Sequence, residues 1–184
     1  MLIGGAKEEN GMKTGILFFL PLALTGCLFS PYREIVYYDL RPVQEQTAVQ
    51  VDVSDFLNRA GVTSRFQYRS SDGRIQTDPD NKWIVPPEVL VARGLRDCFN
   101  GRNGKFLSVG KRIRVSGELV HFEVLTDRMV FLLGARVTLS GEGRETKVMD
   151  FLTEEKISSA KPEDVVNAAG NAVSKLAGQI KGAL

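Results

Sequence analysis

Met129-Val130-Phe131-Leu132-Leu133-Gly134-Ala135-Arg136-Val137-Thr138-Leu139-Ser140 is the stretch on which the fold class turns. Met129, Phe131, Leu133, Ala135, Val137 and Leu139 fall on one side of an extended chain, and Arg136, Thr138 and Ser140 on the other. Successive side chains of a strand point to opposite faces, so the run is a strand with one continuous apolar face. Before it, Thr126-Asp127-Arg128 reads as a turn. Upstream of that turn, Ile113, Val115 and Leu119 alternate with Arg112, Arg114 and Glu118, and the strand runs on through Phe122. After it, Gly141-Glu142-Gly143 turns the chain into a third strand from Thr146 through Leu152. Strands joined by turns this short pair antiparallel.

Helical patterns flank the three strands. Pro86-Pro87 opens the first helix, because proline suits a first turn and Glu88 complements the N-terminal dipole. Val91, Leu95 and Cys98 share a stripe, with Phe99 beside it, and Gly101, Asn103 and Gly104 end the helix near Asn100. Pro162, Glu163 and Asp164 start the second, whose buried stripe is Val165, Ala169, Ala172, Val173, Leu176 and Ile180. Further upstream, Ile35–Leu40, the stretch holding Val49, Val51 and Val53, and Arg65–Arg69 read as strands. Asp72-Gly73 makes a hairpin turn into Arg74–Thr77. Asp78-Pro79-Asp80-Asn81 reads as a break, after which Trp83 leads into the prolines. The order is strands, helix, three strands, helix. It predicts an α+β domain, a mostly antiparallel or mixed sheet with two main helices packed on it. Helices on both faces of a mixed sheet are the alternative.

The 184 residues carry 24 Lys+Arg against 22 Asp+Glu, with 43% hydrophobic and 25% charged residues. These values suit one globular core. A net charge of +2 lacks the cationic excess of a general nucleic-acid binder, so no nucleic-acid partner is expected. One histidine and two cysteines leave little material for a zinc site, and no metal is expected.

The N-terminus reads as an address. Lys13 precedes an apolar run from Ile16 to Leu24 that is shorter than the ~20 residues a spanning helix needs. The run contains Pro21 and ends Leu24-Thr25-Gly26-Cys27, which is similar to a bacterial lipobox. Residues 1–26 are then a signal peptide, with Met12 as the true start because Glu8 and Glu9 do not suit a cationic leader. Cys27 is the lipid attachment site and first mature residue, carrying a diacylglycerol and an N-acyl chain. Removing 26 residues from 184 leaves 158, and the net charge is unchanged because Lys7 and Lys13 leave with Glu8 and Glu9. Cys98 is left with no second cysteine and reads as a core thiol. Residues 27–34 are the lipidated end and a tether; the seven residues from Leu28 to Glu34 reach at most about 25 Å. Two or three acyl chains anchor stably. Leu28, in place of an aspartate, favours the periplasmic face of the outer membrane of a Gram-negative bacterium.

Catalytic chemistry is sparse. His121 lies on a strand beside Glu123, with no nucleophile elbow anywhere in the chain. Gly101-Arg102-Asn103-Gly104-Lys105 lacks the spacing of a phosphate-binding loop. Asp78 and Asp80 are not followed by the Gly and Glu of a calcium loop. Glu154 and Glu155 are adjacent on a strand and face opposite sides. Arg112 and Arg114 read as a solvated face, and Trp83 as packing at a strand-to-helix junction. No catalytic residue is assigned.

The run Phe66-x-Tyr68-Arg69, Asp78, Asn81-x-Trp83, Pro86-Pro87 resembles the ABC-type transport auxiliary lipoprotein component family, the PqiC/YmbA-like proteins. So do Tyr37-Tyr38-Asp39-Leu40 after Cys27, the strand Gly117-Glu118-Leu119-Val120-x-Phe122-Glu123, and the Ala-rich helix from Val165 to Leu176. The likeness spans residues 35–184. It implies a non-catalytic accessory lipoprotein of an ABC/MCE-type intermembrane lipid transport system, one that docks a periplasmic MCE assembly at the membrane. Its partners would be an MCE-domain periplasmic protein and an ABC permease system, with homo-oligomers left open. Tyr68, Trp83, Pro86 and Pro87 are the motif residues, structural or partner-facing. The alternatives are an envelope regulator such as a peptidoglycan-synthase activator, and a lipopolysaccharide-assembly lipoprotein. A long linker, usual in the first, is absent here.

Overall fold

The computed structural model describes residues 33–40, 51–100 and 113–184. The chain divides into two units, Met1–Glu34 and Ile35–Leu184, and the elements below belong to the second. The described residues form β1 (Val36–Tyr38), β2 (Val51–Asn58), β3 (Arg65–Arg69), β4 (Ile75–Trp83), α1 (Pro87–Asn100), β5 (Ile113–Leu125), β6 (Val130–Gly141), β7 (Lys147–Lys156) and α2 (Pro162–Ala183). This is the α+β order expected from the sequence. Cys27, the lipobox residues Leu24, Thr25 and Gly26, Leu28, Val49, Gly101, Asn103, Gly104 and Arg112 lie outside the described residues.

One sheet holds all seven strands of the described residues, six in the order β1-β4-β3-β5-β6-β7 and β2 beside β5 off that path. β6 pairs with β5 along its whole length, so β2 and β3 share the other edge of β5. β2 takes Ile113 to Leu119 and β3 takes Val124 and Leu125. β5–β6, β6–β7 and β3–β4 are antiparallel; β1–β4, β2–β5 and β3–β5 are parallel. The sheet is therefore mixed, with its longest ladders antiparallel.

The apolar face of β6 is buried as its alternation requires. Phe131, Leu133, Ala135, Val137 and Leu139 join Val115, Leu119, Phe122 and Val124 of β5 in one cluster with Leu90, Val91, Leu95 and Cys98 of α1 and the predicted stripe of α2. α1 runs along β2, α2 along β6 and β7, and the two helices touch each other. Pro87 is the first residue of α1, and the Pro86 carbonyl accepts the amides of Val89 and Leu90, both at 3.0 Å. Helix α1 also occupies the outer edge of β2. Arg96 Nε donates to the Val53 carbonyl at 2.9 Å and Asn100 Nδ2 to the Val51 carbonyl at 3.1 Å. An edge strand satisfied in this way offers little to a passing strand.

Aromatic rings cross the sheet beneath the helices. Tyr38 meets Phe66 at 5.3 Å between centroids, Phe66 meets Trp83 at 4.3 Å, Trp83 meets Phe122 at 5.3 Å, and Phe122 meets Phe131 at 4.9 Å, the last edge to face. Offset and edge contacts of this kind suit the ring quadrupoles.

Three expectations are corrected. The segment Asp78–Asn81 does not break the strand: β4 runs from Ile75 to Trp83, and the segment is an irregularity inside it. The step from Arg65 to Gln67 on β3 faces the step from Thr77 to Lys82 on β4, so the extra residues bulge out. A bulge leaves residues outside the ladder, which is how a strand tolerates Pro79. Met129 belongs to the turn before β6 and not to its apolar face; its φ is +49°, in the left-handed region. The third strand of the meander continues past Leu152 to Lys156.

Candidate docking face

The residues of β5, β6 and β7 that alternate with the core positions form a second face, free of helices among the described residues. Register sets it out in rows: Glu118, Arg136 and Asp150; His121, Gly134 and Leu152; Glu123, Leu132 and Glu154. The irregularity between Leu119 and His121 pushes Val120 out of the ladder and leaves it exposed.

Glu123 is the exceptional residue here. It is 3% exposed. A buried carboxylate needs partners on both oxygens. Arg69 Nε donates to Oε2 at 3.0 Å, and His121 Nδ1 lies 3.3 Å from Oε1. The strand-to-strand register puts Arg69 beside Leu125, one pleat from Glu123. Gly134 makes room for the histidine: a Cβ there would sit 2.8 Å from His121 Cδ2 and 3.3 Å from Leu152 Cδ1. Gly117 has a similar duty on the other face, where a Cβ would come within 2.6 Å of both the Arg136 carbonyl and the Phe56 ring.

A depression of about 290 Å³ lies beside the trio, with Val120, His121, Arg136, Asp150 and Leu152 among its walls. Arg136 spans to Asp150 at 2.8 Å and 3.4 Å, and Arg128 makes a two-pronged pair with Glu154. The exposed Asp150 holds the Arg136 guanidinium above its usual pKa, first by the hydrogen bond and then by its charge. Val148 and Leu152 are each 60% exposed among these charges. β7 is the last strand of the sheet, so its outer backbone edge has no strand beside it among the described residues. The site offers paired charges, two bare apolar side chains and a strand edge. These are recognition elements. No group of three or more His, Cys, Asp or Glu able to hold a metal occurs among the described residues.

The motif residues lie elsewhere. Trp83 is 2% exposed and sits in the aromatic run; Pro87 is buried, and Pro86 is exposed. Tyr68 lies on the core side of β3, half-buried, and packs against the core. Burial first, then the charge of Asp78 and a hydrogen bond to it, push the Tyr68 hydroxyl up to about 12. Burial works to raise Asp78, but the hydrogen bonds it accepts win and hold it below the usual carboxylate value. The amides of Asp80 and Asn81 reach Oδ1 at 2.9 Å, and Asn81 Nδ2 reaches Oδ2 at 3.0 Å. Arg65 adds Nη1 bonds to the carbonyls of Asp78, at 3.0 Å, and Pro79. These residues build the bulge and the core beneath it. Structure thus assigns Tyr68, Trp83 and Pro87 to packing and leaves Pro86 at the surface.

Sequence reasoning placed His121 beside Glu123 but missed that Glu123 is buried and shared with Arg69. A signal existed: Glu123 stands between Phe122 and Val124, in a run that is otherwise apolar. The exposure of Leu152 had no such signal, because it depends on β7 being at the edge.

No family model matches the chain, and no curated protein matches it by sequence. Solved structures do. A crystal structure of an uncharacterized protein aligns with a TM-score of 0.64 at 13% identity, covering 82% of this chain and 99% of that one. The crystal structure of XCC0632 from Xanthomonas campestris, of family DUF330, aligns with a TM-score of 0.60 at 16% identity, covering 82% of this chain and 92% of that one. At such identities the likeness establishes a shared fold.

Proposed function

We propose that the protein is an accessory lipoprotein of an ABC/MCE-type intermembrane lipid transport system, anchored through Cys27 and without catalytic activity of its own. The observation that carries the reading is the fold likeness to the DUF330 protein over nearly the whole of both domains. DUF330 is the family of PqiC- and YmbA-like proteins, the family that the motifs from Tyr37 to Leu176 resemble. The sequence Leu24-Thr25-Gly26-Cys27 supplies the anchor. The helix-free face supports docking over chemistry: the depression beside His121 is lined by no serine, threonine or cysteine for it to activate. The β7 edge, with Val148 and Leu152 bare, would take an extended segment of the periplasmic MCE-domain protein by strand addition. The domain would work at the periplasmic face of the outer membrane.

Capture from detergent-solubilised membranes tests this. The tagged, lipidated protein should retain an MCE-domain protein, and a Val148→Lys/Leu152→Lys variant should lose it while remaining folded. Cys27→Ser should fold, stay unlipidated and fail to complement a deletion. Full complementation by that variant, or retention of a penicillin-binding protein in place of the MCE protein, would overturn the reading.

A further inference from the structure

The opposite end of the sheet carries a patch of different chemistry. Ile35, just before β1, and Tyr37 within it alternate with Val36 and Tyr38, and Tyr38 turns toward the core. Register puts Tyr37 beside Lys82 of β4, and Lys82 beside Arg65 of β3. The Ile84 amide bonds to the Tyr38 carbonyl at 2.8 Å, which carries the pairing one step beyond Trp83 and puts Ile84 level with Asp39, diagonal to Tyr37. Since Trp83 is buried, Lys82 and Ile84 point to the helix-free side with Tyr37. Tyr37 is 58% exposed, Ile84 52% and Ile35 36%. The acidic residue next along β1, Asp39, is paired with Arg93. The patch is thus two branched aliphatics and a tyrosine beside two cations, Lys82 and Arg65, the latter also bonded to the Asp78 and Pro79 carbonyls, with Glu34 at the margin next to Ile35.

That composition is the one that favours a bilayer interface: an amphipathic ring at headgroup level, aliphatics just below it, and cations for anionic headgroups. The length of the chain preceding the patch names the occupant. Cys27 precedes Ile35 by eight residues. Eight residues reach at most about 28 Å, whereas a domain of this size, with a radius of gyration near 15 Å, is about 40 Å across. Tethered at Ile35 by a chain shorter than its own width, the domain keeps its β1 end nearer the bilayer than its β7 end. A tether also makes a weak contact count, because it holds the patch at high effective concentration against the surface.

We propose that Ile35, Tyr37, Lys82 and Ile84 form a membrane-contact patch that seats the β1 end of the domain on the bilayer carrying its anchor. The occupant is the lipid surface itself. This rests on the lipoprotein reading of Cys27. It adds an orientation: β1 toward lipid, β7 away from it.

The test places an environment-sensitive fluorophore at Ile84→Cys or at Leu152→Cys in the full chain, processed and lipidated in cells. The protein is reconstituted into phosphatidylethanolamine–phosphatidylglycerol vesicles bearing a nitroxide quencher at the headgroup. Buried Cys98 serves as the unlabelled background. The label at position 84 should shift to the blue and lose emission to the quencher, and the label at 152 should do neither. Equal behaviour at the two positions overturns the proposal, as does a blue shift at 84 that grows with protein concentration and ignores the quencher, which would mean a second copy. Intact mass of the same sample reads the acyl chains on Cys27 separately. Acylated protein without quenching at 84 removes the patch and leaves the anchor; protein without acyl chains removes the anchor reading and the patch with it.

Discussion

The two ends of the sheet are built on different rules. At the β6–β7 end, paired positions follow one another without interruption from Val130 and Lys156 to Leu139 and Lys147. At the β1–β4 end, a strand of three residues pairs in parallel with a strand that bulges at Asp78–Asn81. The surfaces differ in the same sense. Val148 and Leu152 stand among Asp150, Glu154 and Lys156, whereas exposed Tyr37 lies level with Lys82, and Lys82 with Arg65. Apolar groups interleaved with both signs of charge suit a partner that must be recognised and released. Apolar groups beside cations suit a surface that is anionic and continuous. A regular ladder is held by its backbone, and its side chains are free to serve as recognition elements. An irregular strand is held by its side chains, so Asp78, Asn81 and Trp83 of β4 are committed to structure.

That contrast can be broken. The hardest blow should be Trp83→Ala, which removes the centre of the aromatic run and should reduce stability by about 3–5 kcal/mol in urea denaturation. A loss no larger than that of a surface substitution would mean that the β4 end is not held by this packing. Arg69→Met should come next. It leaves the 3%-exposed Glu123 with His121 alone. The expected loss is about 1–3 kcal/mol, and Arg69→Lys should recover only part of it because an ammonium does not reproduce the placement of the Nε donor.

Tyr68→Phe should have a smaller effect, about 1 kcal/mol at neutral pH for one lost hydrogen bond to Asp78. Its clearer readout is pH. The folded Tyr68 hydroxyl, at about 12, lies above its unfolded value of 10.0, so its contribution is full below pH 10 and is lost as pH rises toward 12. Asp78 behaves in the opposite sense: held below 3.8, its contribution is present above that pH and lost as pH falls through the lowered value. The Phe variant should therefore show a flatter stability profile between pH 10 and 12. An unchanged alkaline slope would show that Tyr68 is not the group responsible.

Least of all should Leu152→Lys disturb the fold. At 60% exposure its effect on the urea midpoint should stay within about 0.5 kcal/mol. The same variant should weaken partner capture, and a stability loss matching Arg69→Met would instead make Leu152 a packing residue.

Much of this was legible in the residues. Strict alternation from Phe131 to Leu139 could be satisfied only by a half-buried strand, and Val165 to Ile180 only by an amphipathic helix. The misreading of Asp78–Asn81 has a physical cause. Pro79 and its acidic neighbours are local breakers, and what overrides them comes from β3: Tyr68 and Arg65 hold the bulge from across the ladder. The three parallel pairings were illegible for a related reason. Val36 meets Asn81, and Val51 meets Ile113, across long chain excursions whose local turns do not say which strands will pair. The docking face was half legible, since His121 and Glu123 were noted together but the burial of Glu123 was not.

By itself, the sequence determined the order of elements and the core face of each regular one, because periodicity needs no distant partner to be read. Only the tertiary structure decided which strands stand at the edges, that Glu123 is enclosed by Arg69 and His121, and that Lys82 stands beside Tyr37. Those facts arise from pairings between segments far apart in the chain, where the deciding free energy is that of burial and hydrogen bonding after the strands have met.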